Sequence, residues 1–91
     1  MKPLPYLELA EVSGKRSEEF YQAVTQWYTG DRDKMMRRKV SMLARAYRSA
    51  LNKEIAFLES RRSSTEILMA LQHARAMKMI LEKDLEMLNI H

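Results

Sequence analysis

His73 and His91 are the only two histidines among the 91 residues, and histidine is the side chain whose ordinary pKa sits nearest neutrality. On helical spacing neither has a carboxylate or a second histidine three or four positions away, so neither has a partner for proton transfer or metal binding. The sequence has no cysteine, which removes thiolate nucleophiles, thiolate metal ligands and disulfides together. The carboxylates of Asp31-Arg32-Asp33 sit where a helix would start and are better explained as capping groups. With two glycines in all there is no glycine-rich phosphate loop, and no G-x-S-x-G turn occurs. The expectation is a chain that is not an enzyme, with no cofactor, no metal and no small-molecule substrate.

Charge offers a second chemistry. Residues 32–48 hold seven basic side chains (Arg32, Lys34, Arg37, Arg38, Lys39, Arg45, Arg48) against Asp33 alone, in a sequence whose net charge is +4. On a helical wheel Lys34, Arg37, Arg38, Arg45 and Arg48 share one face with Ser41 and Asn52, a face that can follow phosphates or meet an acidic partner. The bland reading is the solvated side of an amphipathic helix. Tyr47 is the only aromatic residue interleaved with the arginines, so base stacking is not supported, and any nucleic-acid contact would be to backbone and sensitive to salt.

Two charges interrupt apolar stripes: Glu54 in one, Lys78 in another. In an antiparallel hairpin their levels fall close enough for the two to pair and set register. The competing reading has Lys78 reaching solvent or pairing with Glu82 four residues on.

The elements that must position these residues are helical. Two glycines and two prolines are too few for a sandwich or barrel, which needs special turn residues at short intervals. No run reaches the roughly 20 apolar residues of a membrane span, and Met1-Lys2-Pro3-Leu4-Pro5 lacks the apolar centre of a signal peptide. The chain reads as soluble and cytoplasmic.

Residues 1–14 read as an extended or weakly structured arm. Pro3 and Pro5 favour an extended start, and Leu7, Leu9 and Val12 alternate with Glu8 and Glu11 as in a short strand, although residues 6–12 equally suit one or two helical turns. Residues 15–91 form a single helical domain. Ser17 with Glu18 and Glu19 marks a helix start, Phe20, Val24 and Trp27 recur at i, i+4 and i+7, and Thr29-Gly30 supplies a stop, placing helix 1 at about 18–29.

Neither glycine nor proline follows Gly30. The stripe Met36, Val40, Leu43, Tyr47, Leu51, Ile55, Leu58 gives way to Ile67, Leu71, Ala74, Leu81, Leu85, Leu88. The nine-residue step from Leu58 to Ile67 turns the stripe by roughly 180°, so one straight helix would carry its halves on opposite sides. Ser63 and Glu66 have the spacing of a capping box. The chain therefore breaks near residues 61–64, with helix 2 at about 33–61 and helix 3 at about 64–89 folded antiparallel on it. The fold class is all-α: a short N-terminal helix plus a long antiparallel hairpin, closed as a three-helix bundle or completed by a partner.

Helix 3 carries more apolar surface than one mate hides. Met69, Ala76, Ile80 and Met87 form a second strip about 200° from the first, with Leu68, Met79 and Ile90 on its shoulder. Either helix 1 covers this strip and closes the bundle, or another chain does. Seven internal methionines, among them Met35, Met36, Met42 and Met77, suit surfaces that adapt to partners, although ordinary core filling explains many methionines. The favoured expectation is a small intracellular interaction protein, such as a chaperone, adaptor or inhibitory subunit. It would bury Leu68, Met69, Ala76, Met79, Ile80, Met87 and Ile90, with Trp27 and Tyr28 of helix 1, against a protein partner or a second copy, with no membrane involved. The alternative is a nucleic-acid-associated regulator using the basic face of helix 2.

Overall fold

The computed structural model describes residues 5–30 and 33–90. They fold as three α-helices, α1 (Pro5–Thr29), α2 (Lys34–Glu59) and α3 (Thr65–Met87), with no strand among the described residues. α2 is the middle element. Residues early in α1 meet the end of α2 and residues late in α1 meet its beginning, and α3 runs back along α2 in the same antiparallel sense.

α1 is twice the expected length. The segment read as an arm is helical from Pro5, and Ser17 lies inside the helix instead of capping it. Proline is well placed at the first position of a helix, where its missing N–H costs no hydrogen bond. The inward face then runs without a break through Tyr6, Ala10, Ser13, Ser17, Phe20, Val24 and Trp27, each buried or half-buried. Its middle is filled by two serines beside Gly14, so the face is continuous in space but not in hydrophobicity. Gly14 faces open space, and one helical glycine costs only about 1 kcal/mol. Residues 1–4, the rest of the expected arm, lie outside the described residues.

The helix ends follow local chemistry. Asp33 caps α2, its Oδ1 accepting the Met36 N–H at 2.7 Å. The other proposed cap, Asp31, lies outside the described residues. α2 stops at Glu59, and Ser64 caps α3 by accepting the Ile67 N–H at 3.2 Å. The expected break is thus present, but the cap is one residue later than Ser63. Glu66 does not close a capping box and instead places its charge in the first turn, where the helix dipole favours it. At the far end Asn89 takes φ 59°, a conformation asparagine tolerates, with Asn89 N–H donating to the Glu86 carbonyl and Ile90 N–H to that of Leu85. This reversal turns Ile90 into the core.

One cluster joins all three helices: Phe20 and Ala23 of α1, Val40, Ala44, Tyr47 and Leu51 of α2, and Leu81 and Leu85 of α3, with Ile90 beyond it. The Phe20 and Tyr21 rings meet edge-on at 4.9 Å, and Tyr47 stands 6.2 Å from Phe20. A second cluster, Leu58, Leu71 and Ala74 with Tyr6, Phe57 and Ile67, closes the end near the α2–α3 turn. Fully buried leucines such as Leu58 and Leu81 each contribute about 2 kcal/mol by burial.

Candidate protein interface on the third helix

α3 has four sides with different duties. Leu71, Ala74, Leu81 and Leu85 face inward and are buried. One flank faces α1, where the Tyr21 hydroxyl donates to Asp84 Oδ2 at 2.6 Å. Burial, then the hydrogen bond to Asp84 and that carboxylate's charge, push the Tyr21 pKa well above the ordinary tyrosine value. The opposite flank faces α2: Glu82 accepts two hydrogen bonds from Arg48, at 2.7 and 3.0 Å, and Arg75 reaches Glu59 at 3.2 Å.

The fourth side faces outward and is not covered by the described residues. Met69 is 65% exposed, Met79 62%, Met87 78%, Leu68 53% and Ile80 45%, and Ala76 is exposed between them. α1 does not close the bundle over this strip, because it packs against the α2 side of the core and touches α3 only along the Asp84 flank and the inner cluster. Where α1 and α3 diverge, a hollow of about 420 Å³ opens over α2, with Tyr6 and Ser13 on one wall, His73 and Met77 on the other, and Glu54 in its floor.

Two residues expected in the interface belong elsewhere. Ile90, 5% exposed, is folded into the three-helix cluster by the left-handed turn at Asn89. Trp27 is half-buried against the same cluster. Tyr28, 54% exposed, remains at the surface of α1.

The polar expectations are also redistributed. Glu54 does not meet Lys78. It is 4% exposed, and its Oε1 lies 3.0 Å from the Ser13 hydroxyl, whose proton is shared with the Ala10 carbonyl at 3.1 Å. The Glu54 charge, after burial, raises the pKa of Tyr6. Nor does Lys78 hold Glu82, which is taken by Arg48. Within the basic face, Arg48 is thereby neutralised and Arg37 donates to the Asn89 carbonyl at 3.0 Å, so both serve the α2–α3 joint. Lys34, Arg38 and Arg45 are exposed, while Arg32 lies outside the described residues.

Two features fall outside the apolar stripes of the sequence. Ser13 is 7% exposed, and only its spacing from Phe20 and Tyr6 marked it as inward. Met35 and Met42, 79% and 69% exposed, sit seven apart on the outer side of α2, away from its apolar stripe. Their distance from the stripe was the available signal.

Among the described residues no three histidine or acidic side chains gather as a metal site, and no helix is long and apolar enough to cross a membrane. His91 lies outside the described residues. No protein-family model matches the chain, and comparisons with curated proteins and with solved structures return no match.

Proposed function

We infer that this chain is a small intracellular protein-interaction module that works without catalysis, by burying the methionine-rich outer face of α3 against another protein chain. The observation that carries this reading is the exposure of Met69, Met79, Ile80 and Met87 along one side of a helix whose opposite side is buried in the core. Contiguous apolar surface of this kind on a soluble domain marks an interaction site more often than an accident of composition. Methionine suits it, because an unbranched, polarisable side chain fits partners of varied shape. The chaperone, adaptor and inhibitory-subunit roles share this mechanism: sequestration of apolar surface, with the exposed cations Lys34, Arg38 and Arg45 biasing orientation toward acidic surroundings.

Substituting Met69, Ile80 and Met87 together by glutamine tests the reading. The triple variant is expected to keep its helical content and lose association, whether with its own copies or with proteins retained from its native cells. Unchanged association overturns the reading. A phosphate-tracking role for α2 has less support, since Arg37 and Arg48 are engaged within the fold.

A further inference from the structure

The outer face of α3 has a spacing and a set of side chains that point to its occupant. The exposed positions along it are Met69, His73, Ala76, Ile80, Lys83 and Met87, with steps of four, three, four, three and four residues. That spacing is the two-position seam of a helix that packs against another helix. Alternating steps of four and three read the same in both directions, so in an antiparallel pair of copies these positions meet in level layers. Met69 and Met87, His73 and Lys83, and Ala76 and Ile80 are each placed symmetrically about position 78. We propose that this face pairs with the same face of a second copy, α3 antiparallel to α3, with the two-fold axis at the level of Lys78. The proposal rests on the interaction reading above and names its partner.

The antiparallel register is the one the side chains favour. It sets Ala76 against the partner copy's Ile80, small against large, and repeats that pairing on the other side of the axis, so the two central layers have equal volume. Methionines close both ends. His73 falls opposite Lys83 of the other copy, and a neutral imidazole nitrogen can accept a hydrogen bond from an ammonium group. A parallel pairing would instead stack Ala76 on Ala76, leaving a void, and Lys83 on Lys83, placing like charges face to face. Met79, 62% exposed beside the seam, would meet its own counterpart next to the axis.

The size of the surface sets the strength. From Met69 to Met87 the helix rises about 27 Å, and the outward half of its solvent-accessible girth, about 20 Å around, would remove roughly 500 Å² from each chain if covered along that length, or about 1,000 Å² in all. This lies at the lower edge of specific interfaces, so the dimer should form at micromolar concentration and come apart on dilution. Tyr21–Asp84 and Arg48–Glu82 lie on the flanks and stay intact in this arrangement.

The absence of cysteine makes the register directly measurable, because each introduced thiol is the only one in its chain. The wild-type chain at about 50 µM, well above a micromolar dissociation constant, is expected to sediment at twice 10.8 kDa. With a short bismaleimide, M69C mixed with M87C should cross-link several-fold more than either variant alone, and M79C should cross-link to itself. As a gain-of-association check, His73→Leu with Lys83→Leu should tighten the dimer at least tenfold. Strong self-linking of M69C alone would indicate parallel pairing and overturn the proposal. A monomer at every concentration would also overturn it. If that monomer still needs Met69, Ile80 and Met87 to retain another protein, the interaction reading survives without the second copy; if the triple substitution changes no association, both fail.

Discussion

The inward and outward sides of α3 both carry three large apolar side chains and an alanine, yet one is buried and the other exposed. Leu71, Ala74, Leu81 and Leu85 are buried against α1 and α2, whereas Met69, Ala76, Ile80 and Met87, on the same turns of the same helix, are exposed. The inner side uses leucine and alanine, which lock into defined packing; the outer side uses methionine, which does not require it. Apolar content therefore does not separate buried core from exposed surface in this helix. What separates them is the position of each face relative to α2, and the choice of side chain follows that position.

The sharpest way to break this comparison is on the inner side. Leu81 is fully buried where the three helices meet, so Leu81→Ala should cost about 2–5 kcal/mol, combining lost burial with the cavity left behind. Thermal or urea unfolding monitored by helix content measures it. A loss under about 1 kcal/mol, the size of a typical point substitution, would mean that the inner side is not the organising core.

The flank facing α1 comes next. Tyr21→Phe removes the donor to Asp84 while keeping the ring against Phe20, and should cost about 1 kcal/mol. The same contact carries a pH signature. Because the folded-state pKa of Tyr21 lies above the ordinary value of 10.0, its contribution is complete below that pH and is lost as pH rises beyond it. In a spectrophotometric titration of the four tyrosines, the wild-type chain should show a late-ionising group that Tyr21→Phe removes. If the amplitude lost on substitution instead titrates near the ordinary tyrosine value, the hydroxyl is not held by Asp84.

The flank facing α2 should matter less. Arg48 and Glu82 make two hydrogen bonds, but their side chains are 39% and 46% exposed, so solvent and salt screen the pair. Arg48→Gln should cost no more than about 0.5 kcal/mol. Equal melts for wild type and variant at high salt, with a small difference at low salt, are the expected pattern.

The same division explains what the sequence made legible. Periodicity, together with cap and stop residues, located α2, α3, the break between them, the second half of α1 and the second strip, because apolar side chains on one helix face recur with the helical period. It failed on the first half of α1, whose inward face passes through Ser13 and Ser17, residues that carry no hydrophobic signal. The burial of Ser13 and that of Glu54 are one fact: each polar residue is tolerated inside because the other is there. Read from one sequence, Glu54 invited a charged mate, and Lys78 was the charge at the right level. Ile90 was misplaced for a different reason, since a wheel extended past Met87 cannot register the left-handed turn at Asn89 that swings it inward.

The outer side gives the smallest effect on folding. Met87 is 78% exposed and lies at the last turn of α3, so Met87→Gln removes almost no buried surface from the isolated chain. Under dilute conditions, where any association has come apart, its unfolding free energy should match wild type within about 0.5 kcal/mol. Placed opposite Met69 of a second copy, the same side chain closes both ends of the seam, one end from each chain, so a polar atom there is desolvated at both ends of the dimer. The variant should therefore weaken association at least tenfold while leaving the monomer's melt in place. Unfolding measured across a hundredfold range of protein concentration separates the two: wild type should gain stability with concentration and Met87→Gln should not. A Met87→Gln chain destabilised even when dilute would place this methionine in the core and erase the difference between the two sides of the helix.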